Sequence, residues 1–152
     1  MNTAPEPLPA PWALDVSVLA EVARGDARTM TFVQEFDGRG RPLVIPALAV
    51  TGAALDIRSD EAADLLEGLE GLEGLERLEN AMTAPLQGAE QASRLAAVIA
   101  RTGLDPWDAH VAAVADASVC PILTLNAAKW RQHAGDLDDR LHFIEIADPD
   151  QG

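Results

Sequence analysis

The sequence has few residues that could form covalent or metal-based cross-links. Its one cysteine, Cys120, excludes an internal disulfide and a zinc site built from cysteines. No stretch approaches the roughly 18 apolar residues of a transmembrane helix. The first residues also lack the basic and apolar segments of a signal peptide. These absences predict a soluble, cytoplasmic protein that makes no membrane contact.

Positive charge is also scarce. The 152 residues include 11 Lys and Arg against 25 Asp and Glu, which gives a formal net charge of −14. This balance argues against a protein that coats nucleic acid, because such binding needs clustered cations. It does not exclude an enzyme that holds a nucleic acid locally through metal ions. Residues 56–79 carry nine acids and two arginines, so half of the net charge lies in one segment.

Four short apolar runs predict strands that are buried on both faces of a sheet. They are residues 12–16, 42–46, 119–124 and 142–146. Helical patterns lie between them, and strands that alternate with helices pair in parallel through right-handed crossovers. The sequence therefore predicts an α/β protein, a three-layer α/β/α fold with a mostly parallel central sheet.

The length fits about one domain. A proline-rich segment, residues 1–11, predicts a flexible arm, residues 12–146 predict the domain, and residues 147–152 predict a polar tail. Among the helices, Ser17 is predicted to cap the first, Asp60 one that runs to Leu66, and Pro85 to open another.

A Gly-Leu-Glu repeat occupies residues 67–80. A three-residue period on a helix of 3.6 residues per turn makes the leucines spiral around the axis instead of forming one stripe. Each glycine also costs about 1 kcal/mol relative to alanine in a helix. We therefore expect an insertion or a helical arm, which, if it binds anything, suits a basic partner helix.

Three polar side chains fall where ligands bind in such sheets, beyond the carboxyl ends of the strands. Asp15 lies near the end of the first strand, Asp108 lies in the first turn of a late helix, and Asn126 follows the third strand. Asp15 is either a metal ligand or a helix cap, because a buried carboxylate needs a cation or hydrogen bonds. Asp108 is either a ligand or an acid that favours a helix start, with Asp105 as its competitor. Asn126 is either a neutral ligand or a turn residue.

Taken in order, these motifs resemble the PIN-domain family, which includes the VapC-type toxins of bacterial toxin–antitoxin pairs. The matching pieces are Asp15-Val16-Ser17 after a strand, Pro46 with the helix behind it, Asp108-Ala109-His110 and Thr124-Leu125-Asn126. The resemblance covers residues 12–146. It implies a compact α/β/α fold and RNA cleavage that depends on Mg²⁺ or Mn²⁺.

The resemblance also implies four acidic positions, of which this chain fills two. Asp15 and Asp108 match the first and third. The second, a glutamate, is expected near Gly52, and the fourth, an aspartate, falls at Asn126. A metal pair that brackets a phosphate needs most of four carboxylates to balance its charge. Two carboxylates and one amide support one weakly held metal more readily than a pair.

Neighbouring residues have mainly structural interpretations. His110 is either a helix residue at the edge of the site or a metal ligand. Trp107 and Trp130 suit packing or an interface better than base stacking, since no basic stripe surrounds them. Lys129 and Arg131 either contact phosphates at the strand ends or lie in a solvated turn.

Two functions follow from the resemblance, and a third class stands apart from it. The first is a Mg²⁺- or Mn²⁺-dependent endoribonuclease with RNA as substrate, in which Asp15 and Asp108 hold the metal and Asn126 is a weak third ligand. The second is a catalytically degenerate PIN-like module that binds a protein, either an antitoxin or a second copy in a homodimer. The third, a phospho-acceptor or small-ligand domain using Asp15, lacks a second adjacent acid and a glycine-rich phosphate loop. The first two require residues 15, 108 and 126 to meet at one rim of the sheet.

Overall fold

The structure, a computed structural model, describes residues 10–146. Five strands form its sheet, and seven helices connect and flank them. The strands are β1 (Trp12–Leu14), β2 (Leu43–Pro46), β3 (Ala81–Ala84), β4 (Ile122–Thr124) and β5 (Phe143–Glu145). The helices are α1 (Val16–Ala23), α2 (Ala27–Gly38), α3 (Ala47–Arg58), α4 (Leu65–Glu76), α5 (Gly88–Thr102), α6 (Pro106–Ser118) and α7 (Ala127–His133). The predicted tail and residues 1–9 of the predicted arm lie outside the described residues.

The sheet is entirely parallel, with the strand order β3-β2-β1-β4-β5. β1 is central, and Ala13 pairs with Val44 on one side and with Ile122 on the other. The predicted α/β/α fold with a parallel sheet is confirmed. Because every strand runs the same way, all the carboxyl ends meet at one edge, and the segments that follow β1 and β4 start side by side there.

The sequence predicted four of the five strands, and it missed β3. This strand holds Met82 and Thr83, both exposed, between two half-buried alanines, and it pairs only with β2 at the edge of the sheet. An edge strand that buries so little carries no apolar run for sequence reasoning to detect. Three predicted helix starts were also wrong: Asp15, not Ser17, caps α1; Asp64, not Asp60, caps α4; and α5 begins at Gly88, not at Pro85.

The Gly-Leu-Glu repeat forms the regular helix α4, which packs against the end of α1. A Cβ placed on Gly68 would lie 3.1 Å from the carbonyl oxygen of Ala23, and one on Gly71 would lie 3.2 Å from that of Val22. The glycines thus allow a close helix contact that larger residues would push apart. Leu72 and Leu75, further along the spiral, are buried in the core. The segment predicted as an insertion or arm is therefore part of the packed domain.

Within residues 10–146, no helix combines the length and apolar character needed to cross a membrane.

A backbone position after α6 generates a prediction about stability. Val119 has φ = 49° in the left-handed region and is 84% exposed. A β-branched residue is strained there, whereas glycine is not. We expect Val119→Gly to raise the free energy of unfolding by about 1 kcal/mol. Urea denaturation measures the free energy of unfolding. Ser118→Gly is the control, and it should lower stability because residue 118 lies inside the helix. A Val119→Gly protein that is no more stable than the native protein would contradict the prediction.

Candidate functional site

Asp15 lies between β1 and α1 at the carboxyl edge of the sheet, and only 1% of it is exposed. It caps α1, the role predicted for Ser17. Its Oδ1 accepts hydrogen bonds from the Val18 backbone N–H (3.1 Å) and from Ser17 Oγ (2.6 Å). Ser17 therefore donates to the capping carboxylate instead of acting as the cap.

The second oxygen of Asp15 is held by residues from the other side of the site. Its Oδ2 accepts hydrogen bonds from Thr124 Oγ1 and, at 2.8 Å, from the indole N–H of Trp130. Thr124 and Trp130 are fully buried. Two donors on each oxygen compensate the burial of the charge. Four donors also use about all of the acceptor capacity of the carboxylate, which a metal ion would otherwise share.

Asp108 lies in the first turn of α6 and is 5% exposed. Its Oδ2 pairs with Lys129 Nζ at 3.0 Å. Its Oδ1 is buried and accepts no hydrogen bond within residues 10–146. Burial raises the pKa of the Asp108 carboxyl, Lys129 opposes that shift, and the negative charge of Asp15 adds to it.

Asn126 lies at the same edge, but its side chain has a structural task. Its amide oxygen accepts a hydrogen bond from the Lys129 backbone N–H at 3.3 Å and so caps α7. Its own backbone N–H donates to Thr124 Oγ1 at 2.8 Å. The structure thus brings the three predicted residues to one rim of the sheet, and uses the Asn126 oxygen as a helix cap.

Gly52, where the family resemblance places a glutamate, is covered by Trp107. A Cβ built on Gly52 would lie 2.6 Å from Trp107 Cγ and 2.8 Å from Trp107 Cβ. These atoms belong to the root of the indole side chain, close to the α6 backbone, and cannot move far without moving the helix. Trp107 therefore packs where an acidic side chain at residue 52 would have to begin.

Two contributors to the site were not assigned these roles by sequence reasoning. Lys129 was predicted to contact a phosphate or to lie in a turn, and it instead pairs with Asp108. Trp130 was predicted to pack, which it does, but it also donates a hydrogen bond to Asp15. One sequence signal was available: Lys129 is the only lysine in the chain, and it follows Asn126 by three residues.

The side chain of His110 is hydrogen-bonded to the first turn of α3. Its Nδ1 accepts a hydrogen bond from the Leu48 backbone N–H at 3.2 Å, so the ring is neutral with its proton on Nε2. Burial lowers the pKa of His110. Over residues 10–146, no group of three or more His, Cys, Asp or Glu side chains is arranged to hold a metal ion.

A parallel α/β/α domain with two buried carboxylates at its carboxyl edge is the class of protein that this geometry defines. The PIN domain family matches residues 13–136, and the chain belongs to that family. No curated protein matches the sequence significantly.

Solved structures show the same fold. VapBC2 from Rickettsia felis, solved bound to a promoter DNA fragment, aligns with a TM-score of 0.61 at 10% identity, covering 88% of this chain and 97% of that one. DNA-bound VapBC from Salmonella typhimurium aligns with a TM-score of 0.59 at 14% identity, covering 89% and 97%. A Pyrobaculum aerophilum protein aligns with a TM-score of 0.55 at 17% identity, covering 88% and 83%. At these identities the likeness establishes the fold alone.

PIN domains generally depend on divalent metal ions, but the donors of this chain do not fit a metal pair. Asp15 has two hydrogen bonds on each oxygen, and Asp108 is bonded to an ammonium group. The Asn126 oxygen caps a helix, and Gly52 has no side chain. Mg²⁺ requires several oxygen ligands in a near-octahedral shell. Among the described residues, Asp108 Oδ1 is the one buried side-chain oxygen without a partner.

The contact between Gly52 and Trp107 predicts that replacing two helical glycines by alanine has opposite effects on stability. We expect Gly52→Ala to lower the free energy of unfolding by about 1–3 kcal/mol, because the new methyl group overlaps Trp107. Gly74→Ala is the matched control, since a Cβ there meets nothing within 4 Å. It should raise stability by up to about 1 kcal/mol. Equal stability of the two variants in urea denaturation would contradict the packing described for Trp107.

His110 predicts a pH dependence. Because its pKa in the folded state is lowered, the unfolded chain binds more protons as the pH falls below about 6.5. Stability contributed by neutral His110 is therefore present above that pH and is lost on acidification. His110→Asn, which can still accept from Leu48, should flatten the stability curve below pH 6.5, whereas His142→Asn, at an exposed histidine, should not. Identical pH profiles for His110→Asn and the native protein would refute this assignment.

Proposed function

We propose that this chain is a catalytically degenerate PIN-domain protein that acts by binding a protein partner. The observation that carries the proposal is the ion pair between Lys129 and Asp108. In a metal-dependent nuclease site, the charge of buried carboxylates is balanced by the metal ions. Here the side chain of the only lysine supplies that positive charge from within the chain.

The charge balance supports this proposal. Asp15 and Asp108 together carry two negative charges, and Lys129 removes one of them. One net negative charge is too little to hold two divalent ions beside a phosphodiester, which is itself an anion. The net charge of −14 adds no cationic surface that would attract RNA to the site.

The resemblance to toxin–antitoxin proteins supports a protein as the partner. Two of the similar structures are VapBC proteins from two bacteria, and both match this chain over nearly nine-tenths of its length. An antitoxin-like protein or a second copy of this chain therefore remains the partner class that the fold favours. The lack of a complete acidic cluster leaves such binding unaffected, because it does not depend on a metal ion.

Metal-dependent RNA cleavage is the second candidate function, and one observation favours it. Asp108 Oδ1 is buried and has no hydrogen-bond partner among residues 10–146. An oxygen of this kind could bind a single Mg²⁺ or Mn²⁺ if Lys129 swung into solvent, to which 31% of its side chain is already exposed. On this alternative, Asp15 and Asp108 hold the ion and Asn126 is a weak third ligand.

Thermal unfolding with and without millimolar Mn²⁺ distinguishes the two functions. We expect the native protein to show no shift in melting temperature with Mn²⁺ and no cleavage of a labelled single-stranded RNA. Lys129→Met should lower the free energy of unfolding by about 1–3 kcal/mol, because it leaves Asp108 buried without its cation. The partial exposure of Lys129 keeps this loss below that of a fully buried pair. Arg131→Met, which removes a neighbouring exposed cation, should cost much less.

A further pair of variants tests the origin of the stability loss. Adding Asp108→Asn to Lys129→Met should restore part of the lost stability, because the unpaired charge is then removed. If the native protein is instead stabilised by Mn²⁺ and cuts the RNA, and Asp15→Asn abolishes both effects, the second function is correct and the proposal of a degenerate site fails.

A further inference from the structure

One face of α4 exposes apolar side chains that the fold does not use. Leu65, Leu66 and Leu69 are 40%, 74% and 53% exposed. Leu66 and Leu69 are three residues apart, and Leu65 and Leu69 are four apart, so the three are neighbours on one side of the helix. We refer to Leu65, Leu66 and Leu69 as the leucine face. Single exposed leucines are common, but a contiguous group of three on one helix marks an interaction surface.

The spiral of the repeat explains how this face arises. Successive leucines of a three-residue repeat rotate around the helix, so Leu72 and Leu75 enter the core while Leu66 and Leu69 point away from it. Gly68 and Gly71 hold the other side of α4 against the carbonyl oxygens of α1. The leucine face thus lies on a helix that is packed into the domain, so this helix loses little conformational entropy when a partner binds.

The surroundings of the leucine face are acidic. Glu70 and Glu73 lie one helical turn beyond Leu66 and Leu69, and both are exposed. The segment 56–79 contains nine acids and two arginines. One of these arginines, Arg77, already pairs with Glu73 at 3.8 Å. The leucine face is therefore bordered by carboxylates, and the nearby cations are too few to balance their charge.

We propose that the leucine face binds an amphipathic helix of a partner protein whose apolar stripe is flanked by Lys or Arg. Apolar contact would cover the leucines, and the flanking cations would pair with the glutamates, the arrangement of a helix docked on a helical surface. Like charges oppose the other occupants. A second copy would bring an equally acidic face, and an anionic membrane would repel this one.

This inference rests on the proposed function, because it names the partner chemistry for a protein that acts by binding. The leucine face is nevertheless separate from the carboxylates. α4 meets α1 at Val22 and Ala23, at the opposite end of that helix from Asp15. At 1.5 Å per residue, seven residues place these contacts about 10 Å further along the axis. Docking on α4 therefore requires neither Asp108 nor Lys129.

The test uses the full-length protein and a fluorescein-labelled model peptide of four to five helical turns, with leucines at i, i+3, i+4 and i+7 and lysines elsewhere. Fluorescence anisotropy measures its dissociation constant. We expect Leu66→Gln/Leu69→Gln, which keeps helix propensity while removing apolar surface, to weaken binding about tenfold or more. Val119→Gln, which alters an even more exposed apolar residue after α6, should leave binding unchanged. Glu70→Gln/Glu73→Gln should weaken binding and reduce its salt dependence.

Three results would overturn the proposal. The first is equal binding by the native protein and the leucine variant. The second is equal binding of a peptide in which every lysine is replaced by glutamate, which would show apolar adhesion without charge recognition. The third is a native protein that dimerises in gel filtration and becomes monomeric in the leucine variant, which would make a second copy the occupant. If the native protein binds no peptide, shows no Mn²⁺ response and cleaves no RNA, the docking proposal fails while the proposal of a degenerate site stands. RNA cleavage by every variant would instead overturn the proposed function itself.

Discussion

The arrangement of the carboxyl edge depends on how the oxygens of two buried carboxyl groups, those of Asp15 and Asp108, are compensated by donors within the fold. Burying a charge without compensation costs several kcal/mol, so each charge must find donors or a cation. Asp15 takes four hydrogen bonds from α1, β4 and α7, and Asp108 takes the ammonium group of Lys129. Because those donors come from distant parts of the chain, compensation of the charges also ties the central strands to α6 and α7. The same contacts that stabilise the edge leave few oxygens for a metal ion.

Close packing accounts for two departures from what the family resemblance implies. Trp107 lies over Gly52, so the space in which a family glutamate would begin is filled by an indole ring. In α4, Gly68 and Gly71 let the helix approach the backbone of α1, and the repeat that looked like an added arm becomes a core helix. In both places a missing Cβ determines the outcome. At Gly52 it contributes to an incomplete acidic site, and at α4 it supports an anchored surface whose leucines point outward.

Sequence reasoning recovered the fold where a local signal was strong. The apolar runs that contain β1, β2, β4 and β5 were visible because buried parallel strands are apolar on both faces. β3 was not, because Met82 and Thr83 lie exposed on an edge strand. For the site, the order of Asp15, Asp108 and Asn126 predicted their convergence, and all three lie at one edge. Their roles as metal ligands stay a prediction. The pairing of Lys129 with Asp108 joins residues 21 positions apart on different helices, and no local periodicity encodes it.

The sequence by itself determined the composition of the site: two carboxylates instead of four, one amide, one lysine and a local concentration of glutamates. It also determined the family, because strand–helix alternation and short ordered motifs are local properties of the chain. Only the tertiary structure decided that Lys129 neutralises Asp108, that Trp107 occupies the space above Gly52, and that Leu66 and Leu69 face outward while Leu72 and Leu75 face the core. These outcomes depend on distances between side chains of different elements, and such distances exist only once the helices have packed on the sheet.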